Sequence, residues 1–239
     1  MTHIVLGYPS FEASYKMVEA MVAADVDLME LQIPFSEPTA DGPVIMHANQ
    51  EALRKGATVR RCLEFSTDMA RTFDIPFLMM TYYNILFKHG TERFVSAMAK
   101  GGLHGAIIPD LPPEEGQDYF AMMGAHDLAP ILIFSPTTSR ERMSYLSGYA
   151  RGFIYCVARK GVTGKETSFS SEMAAYLEQC GHATSLPLAV GFGVKDRPDV
   201  DFLKGKADIA VVGSETIRLV EREGIDGVGD FIRGLRETT

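Results

Sequence analysis

Residues 29–43 read Met29-Glu30-Leu31-Gln32-Ile33-Pro34-Phe35-Ser36-Glu37-Pro38-Thr39-Ala40-Asp41-Gly42-Pro43. The apolar run around Leu28 to Leu31 has the character of the end of a buried strand, and the prolines and glycine beyond it dictate a long irregular loop. Glu30 is thereby placed in a strand and Asp41 in a loop. No helix can join them, because Pro34 and Pro38 intervene, but a loop folding back over its own strand end brings two carboxyls to one cavity. Paired carboxyls in unequal surroundings supply an acid and a base together. A buried structural acid beside a turn aspartate is the alternative.

Working outward, the same unit recurs. Residues 3–7 form a short apolar strand, Ser10 is placed to cap a helix, and Phe11, Tyr15, Val18 and Val22 fall on one face of it. Beyond the opening stretch, residues 59–72 read as a helix and 76–82 as a strand. Thr91 is expected to cap the next helix, before a strand at 105–108. The alternation continues through helix 114–126 and strand 130–134, helix 139–149 and strand 152–157, and helix 171–180 and strand 188–190. It ends with helix 198–204, strand 209–212 and a helix opened by Ser214. Eight strand–helix units with no linker between domains predict one closed (β/α)8 TIM barrel, a single α/β domain over residues 1–239, rather than an open doubly wound sheet.

Composition narrows the function. A chain of 239 residues that is 46% hydrophobic can bury a barrel core, and no run approaches the roughly 20 apolar residues a membrane helix needs. The N-terminus lacks a basic leader, so a soluble, cytoplasmic protein is expected. A net charge of −8 with no basic stripe argues against nucleic acid. Cys62, Cys156 and Cys180 suggest buried inert thiols, and the six histidines, His3 among them, show no metal-ligand spacing, so no metal is expected.

Active sites of such barrels lie at the C-terminal strand ends. This places Glu30, Tyr82, Asp110, Tyr155 and Arg159 on the working side, and Asp127 and Arg151 on the other. Glycine-bearing turns follow the last three strands: Gly161-Val162-Thr163-Gly164, Gly191-Phe192-Gly193, and Gly213-Ser214 at a helix start. Backbone N–H groups reached through glycines at a helix N-terminus form an anion site, so a phosphate is expected there, on Gly164, Gly193, Gly213 and Ser214. Met80, Ile107, Tyr155 and Phe192 could line an apolar slot, although each also suits barrel core.

The run LMELQIPFSEPTADGP resembles the signature of the tryptophan synthase alpha chain family. Glu30, Pro34, Phe35, Ser36, Pro38, Ala40, Asp41, Gly42 and Pro43 match, while Gln32 stands where that family usually has glycine, Glu37 where it has aspartate and Thr39 where it has a larger apolar residue. The likeness continues through Tyr82-Tyr83-Asn84, the run Ile108 to Pro112, Arg159 to Gly164, Gly191-Phe192-Gly193 and Gly213-Ser214. It departs at the start, where the family's usual N-terminal helix is missing.

The resemblance implies retro-aldol cleavage of indole-3-glycerol phosphate to indole and glyceraldehyde 3-phosphate, the alpha reaction of tryptophan biosynthesis. It implies Glu30 and Asp41 as the catalytic carboxyls, a tyrosine near the reacting carbon at Tyr155, Tyr82 in substrate binding, and the glycerol phosphate on the glycine turns and Ser214. It also implies no cofactor in this chain, and docking onto a beta chain that carries pyridoxal phosphate, in a heterotetramer, through the loop holding Ser36-Glu37-Pro38. Three alternatives stay open: a Schiff-base aldolase using Lys160, a phosphosugar isomerase on a similar barrel, and a non-catalytic subunit that activates a beta chain.

Overall fold

The computed structural model describes residues 1–157, 171–191 and 193–236. The strands are β1 (Thr2–Val5), β2 (Met29–Gln32), β3 (Phe77–Met80), β4 (Gly105–Ile107), β5 (Ala129–Phe134), β6 (Ile154–Val157), β7 (Leu188–Gly191) and β8 (Ile209–Ala210). All neighbours pair in parallel, in sequence order from β1 to β8. The sheet closes on itself: Thr2 bridges Val212, His3 N–H donates to the Val212 carbonyl at 3.0 Å, and Val212 N–H donates to the Met1 carbonyl at 3.0 Å. Closure removes the free edges that an open sheet would expose. The chain is therefore the (β/α)8 barrel that the alternation predicts.

Around it lie, among the described residues, α1 (Phe11–Val22), α2 (Pro43–Arg54), α3 (Val59–Thr72), α4 (Tyr83–His89), α5 (Thr91–Lys100), α6 (Gln117–Ala125), α7 (Arg140–Ser147), α8 (Ser171–Ala183), α9 (Arg197–Leu203), α10 (Ser214–Glu223) and α11 (Gly227–Arg236). Ser10 caps α1 as expected, accepting from Ala13 N–H at 3.0 Å. Thr91 does not cap α5. Gly90, at a φ of 93°, closes α4 and takes the cap position of α5, so Thr91 is already inside the helix. The helix expected at 114–126 starts only at Gln117, because residues 112–116 are spent on tight turns in which Glu115 and Gly116 N–H bond back to Pro112 and Pro113. Helices α2, α4 and α11 have no counterpart in the sequence reading. In α2 the breakers themselves mislead: Gly42 is the N-cap and Pro43 the first helical residue, where a missing N–H costs nothing.

Each strand alternates between two layers. Outward residues such as Ile4, Leu31, Met79, Ala106, Phe134, Ile154 and Val190 pack against the helices, while inward ones such as Met1, Leu78, Ile131, Phe153, Ala189 and Val211 fill the barrel itself. This inner layer closes the lower interior. Above it, the inward positions turn polar: His3, Glu30, Gln32 and Tyr155. Cys62, Cys156 and Cys180 are free and buried, and Asp127 and Arg151 form a loose exposed pair at 4.0 Å.

Candidate active site

A cavity of about 610 Å³ opens at the C-terminal ends of the strands. Glu30 and Asp41 both line it, although one belongs to β2 and the other to the loop beyond. That loop is pinned at several points. Ile33 N–H donates to the Met80 carbonyl at 2.9 Å, Phe35 N–H to Asn49 Oδ1 at 3.1 Å, and Ala40 N–H to the Tyr82 hydroxyl at 3.1 Å. Phe35 also stacks on Tyr82 with ring centroids 5.0 Å apart. These anchors hold Asp41 at the mouth of the strand that carries Glu30.

The two carboxyls sit in unlike environments. Glu30 is 4% exposed and its Oε2 has no hydrogen-bond partner; burial, reinforced by the nearby Asp41 charge, pushes its pKa up to about 8. Asp41 is equally buried, but Gln32 Nε2 donates to its Oδ2 at 2.7 Å and Asn49 Nδ2 to the same oxygen at 3.1 Å, with the Tyr82 hydroxyl also beside it. Burial raises its pKa to about 6, against the lowering effect of these donors. The protonated form is thus favoured more at Glu30 than at Asp41, whose carboxylate the amide donors stabilise. Tyr155, half-buried on β6, lines the same space; burial, and then the charges of Glu30 and Asp41, hold its phenol well above the usual range. Its hydroxyl rests against Gly191, where a Cβ would collide with it.

Met80 and Ile107 line the cavity as the sequence suggests. Tyr82 does not reach its wall: it is fully buried behind the loop, bracing Ala40 and Asp41. Asp110 accepts from Tyr83 N–H at 2.8 Å, which ties down the start of α4. Of the anion-site residues, Gly193, Gly213 and Ser214 come together on the wall, and no side chain caps the start of α10 at Gly213. Gly164, Phe192, Arg159 and Lys160 lie outside the described residues. Lys195 and Arg218 also line the cavity, Arg218 being paired with Glu215 at 3.0 Å. Lys195 lies two residues beyond Gly193 and Arg218 lies within α10, and the sequence reading passed over both. It also missed His3 and Asn49 as site residues, and noted Gln32 only as a departure from the family signature; the inward register of β1 and β2 was the available signal for His3 and Gln32.

Among the described residues, no group of three or more His, Cys, Asp and Glu is placed to hold a metal, and no helix is long and apolar enough to cross a membrane. A closed parallel barrel with two unequal carboxyls and a glycine-lined helix start at its C-terminal mouth defines a class, the barrel enzymes that work by carboxylate acid–base chemistry. The profile of the tryptophan synthase alpha chain matches residues 1–230. The chain is 66% identical over 235 residues to the tryptophan synthase alpha chain of Desulforapulum autotrophicum, covering 98% of this chain and 93% of that one. It is 59% identical to that of Syntrophotalea carbinolica, covering 99% and 93%. Among solved structures, a chain of Mycobacterium tuberculosis tryptophan synthase superposes with a TM-score of 0.91 at 30% identity, covering 98% of this chain and 89% of that one. The protein belongs to the tryptophan synthase alpha chain family.

Proposed function

We propose that this chain is a lyase that cleaves indole-3-glycerol phosphate into indole and glyceraldehyde 3-phosphate. The observation that carries the proposal is the unequal setting of two carboxyls on one cavity: Glu30 is desolvated and without a partner at Oε2, which favours its protonated form, while Asp41 Oδ2 accepts from two amide donors, which favour its carboxylate. The retro-aldol step needs a proton delivered to indole C3, the glycerol hydroxyl deprotonated, and the positive charge that develops at the ring nitrogen stabilised. Glu30 gives its proton to C3 and, as a carboxylate, takes the hydroxyl proton as the C–C bond breaks, so no external acid or base is consumed. Asp41 accepts the indole N–H and faces the growing cation.

Met80, Ile107 and Tyr155 suit the flat ring, with Tyr155 close enough to the carboxyl pair for their charges to act on its phenol. The helix start at Gly213 and Ser214, with Gly193, suits the phosphate; Lys195 and Arg218 on the same wall add charge that the glycine motifs alone do not provide. Gly164 and Phe192 belong to the same expectation. The barrel acts as one domain, without a cofactor of its own, in the cytoplasm, and hands indole to a beta chain that carries pyridoxal phosphate. Turnover of indole-3-glycerol phosphate by the purified chain, alone and with a beta chain, tests the proposal. Borohydride added with substrate separates it from a Schiff-base aldolase, since the carboxylate mechanism leaves no lysine adduct.

A further inference from the structure

Of the amide donors to Asp41, Gln32 is itself bonded to a buried histidine that has no place in the chemistry above. His3 on β1 and Gln32 on β2 both face the cavity, at 4% and 0% exposure, and His3 Nε2 lies 2.6 Å from Gln32 Oε1. Buried polar groups persist where their bonds are made, and here the bonds fix one arrangement. An ionised Asp41 can only accept, so the group Gln32 turns to Asp41 Oδ2 must be its NH2. The Gln32 carbonyl then faces β1, and His3 must carry its proton on Nε2 to donate to it.

The other nitrogen, His3 Nδ1, is buried with no partner, against Gly213; a Cβ built on Gly213 would lie 3.4 Å from it. The hydrogen-bonded line thus runs from the carboxylate to His3, whose unpartnered nitrogen faces the Gly213 turn. Burial holds the imidazole neutral, its pKa lowered to about 4, so the line keeps one proton arrangement through the neutral range.

We propose that His3 and Gln32 are positioning residues for Asp41: His3 sets which end of the Gln32 amide faces the carboxylate, and Gln32 thereby orients Asp41 and keeps it ionised. The functional consequence rests on the lyase reading, but the hydrogen-bonded line does not. Had His3 lost its donor, Gln32 would be free to turn its carbonyl toward Asp41, and acceptor would oppose acceptor. The titratable groups that face Asp41 are Glu30 on β2, Tyr82 beyond β3 and Tyr155 on β6, with Lys195, Glu215 and Arg218 elsewhere on the cavity wall. None of these touches Gln32 through a hydrogen bond.

The test has two arms. Nitrogen-15 NMR of the ligand-free chain reads the His3 tautomer, and carbon-13 NMR reads the Asp41 carboxyl titration in wild type, Gln32→Met, His3→Phe and the double variant. The expected result is a neutral His3 protonated on Nε2, and an Asp41 midpoint that rises by about one pH unit or more in Gln32→Met, less in His3→Phe, and no further in the double variant than in Gln32→Met. In turnover, the acidic limb of kcat/KM moves with that midpoint and kcat falls about 10- to 100-fold, while inhibition by glycerol phosphate changes less than about threefold. Gln32→Glu moves the limb further up, because it sets a second carboxyl against Asp41. An Asp41 midpoint unmoved in Gln32→Met, a His3 protonated on Nδ1, or strictly additive effects in the double variant would overturn the proposal. A wild-type chain with no turnover but the expected NMR behaviour would sink the lyase reading and leave the positioning line standing.

Discussion

Glu30 and Asp41 are the same functional group in two electrostatic settings, and the difference can be measured in two ways. Because Asp41 must be ionised and Glu30 protonated, kcat/KM is expected to follow a bell in pH, with limbs near about 6 and about 8. Stability gives the second measure. The Glu30 carboxyl stays protonated in the folded chain up to about 8, against an ordinary value of 4.5, so between those pH values the unfolded chain binds fewer protons and stability falls as pH rises. Glu30→Gln removes this loss. The variant is expected to be more stable than wild type at pH 8, by roughly a few kcal/mol, and to converge with it toward pH 4.5 in urea titrations. A gap that is constant with pH would show that Glu30 is ionised in the fold. Asp41→Asn is expected to lose turnover severely, since an amide cannot hold the developing cation as a carboxylate does, and steady-state kinetics at pH 7.5 checks this.

At the scale of elements, the positions of the strands were legible because short apolar runs, several ending at glycine or proline, recur between helical stretches. The eight units and the pairing of Glu30 with a loop carboxyl follow from that pattern. What was hidden depended on contacts between elements. Asn49 is buried at 0% exposure and bonds to Gln32, Phe35, Ile45 and Asp41, yet it sits on a helix whose start at Pro43 reads as a turn. His3 resembles any strand histidine until barrel stagger brings Gln32 within reach. Tyr82 sits where a substrate contact was expected, but stacking on Phe35 turns it into a brace for the loop. Two glycines carry expectations at this scale. Gly191→Ala would press on the Tyr155 ring, and a drop in kcat with KM for the phosphate ester little changed is expected in steady-state assays. Gly213→Val would crowd both His3 and the helix start, so a steep rise in KM is expected; if glycerol phosphate protects this variant from thermal unfolding as well as it protects wild type, the phosphate lies elsewhere.

For the whole molecule, the barrel leaves one stretch of the active loop outward: Ser36 and Glu37 are exposed while Asp41, a few residues on, is buried. A partner that contacts this tip would bear directly on Asp41, because Asn49 and Tyr82 pin the loop on either side of the tip. Glu37 is one methylene longer than the aspartate usual in the family, and an interface charge pair is sensitive to such a change by about a few kcal/mol. The chain is expected to bind its own beta chain more tightly than a typical one. Calorimetric titration against both, with turnover followed in parallel, decides this; equal affinities would remove Glu37 as a specificity element.

The most direct measurement is turnover of indole-3-glycerol phosphate by wild type and Glu30→Gln, with circular dichroism on both. Indole release by wild type is expected, with an unchanged fold in the variant and a loss of at least ~10²-fold in its rate, the scale of a removed acid–base group. Equal turnover in two equally folded proteins would contradict it, and Glu30 would then be a structural acid.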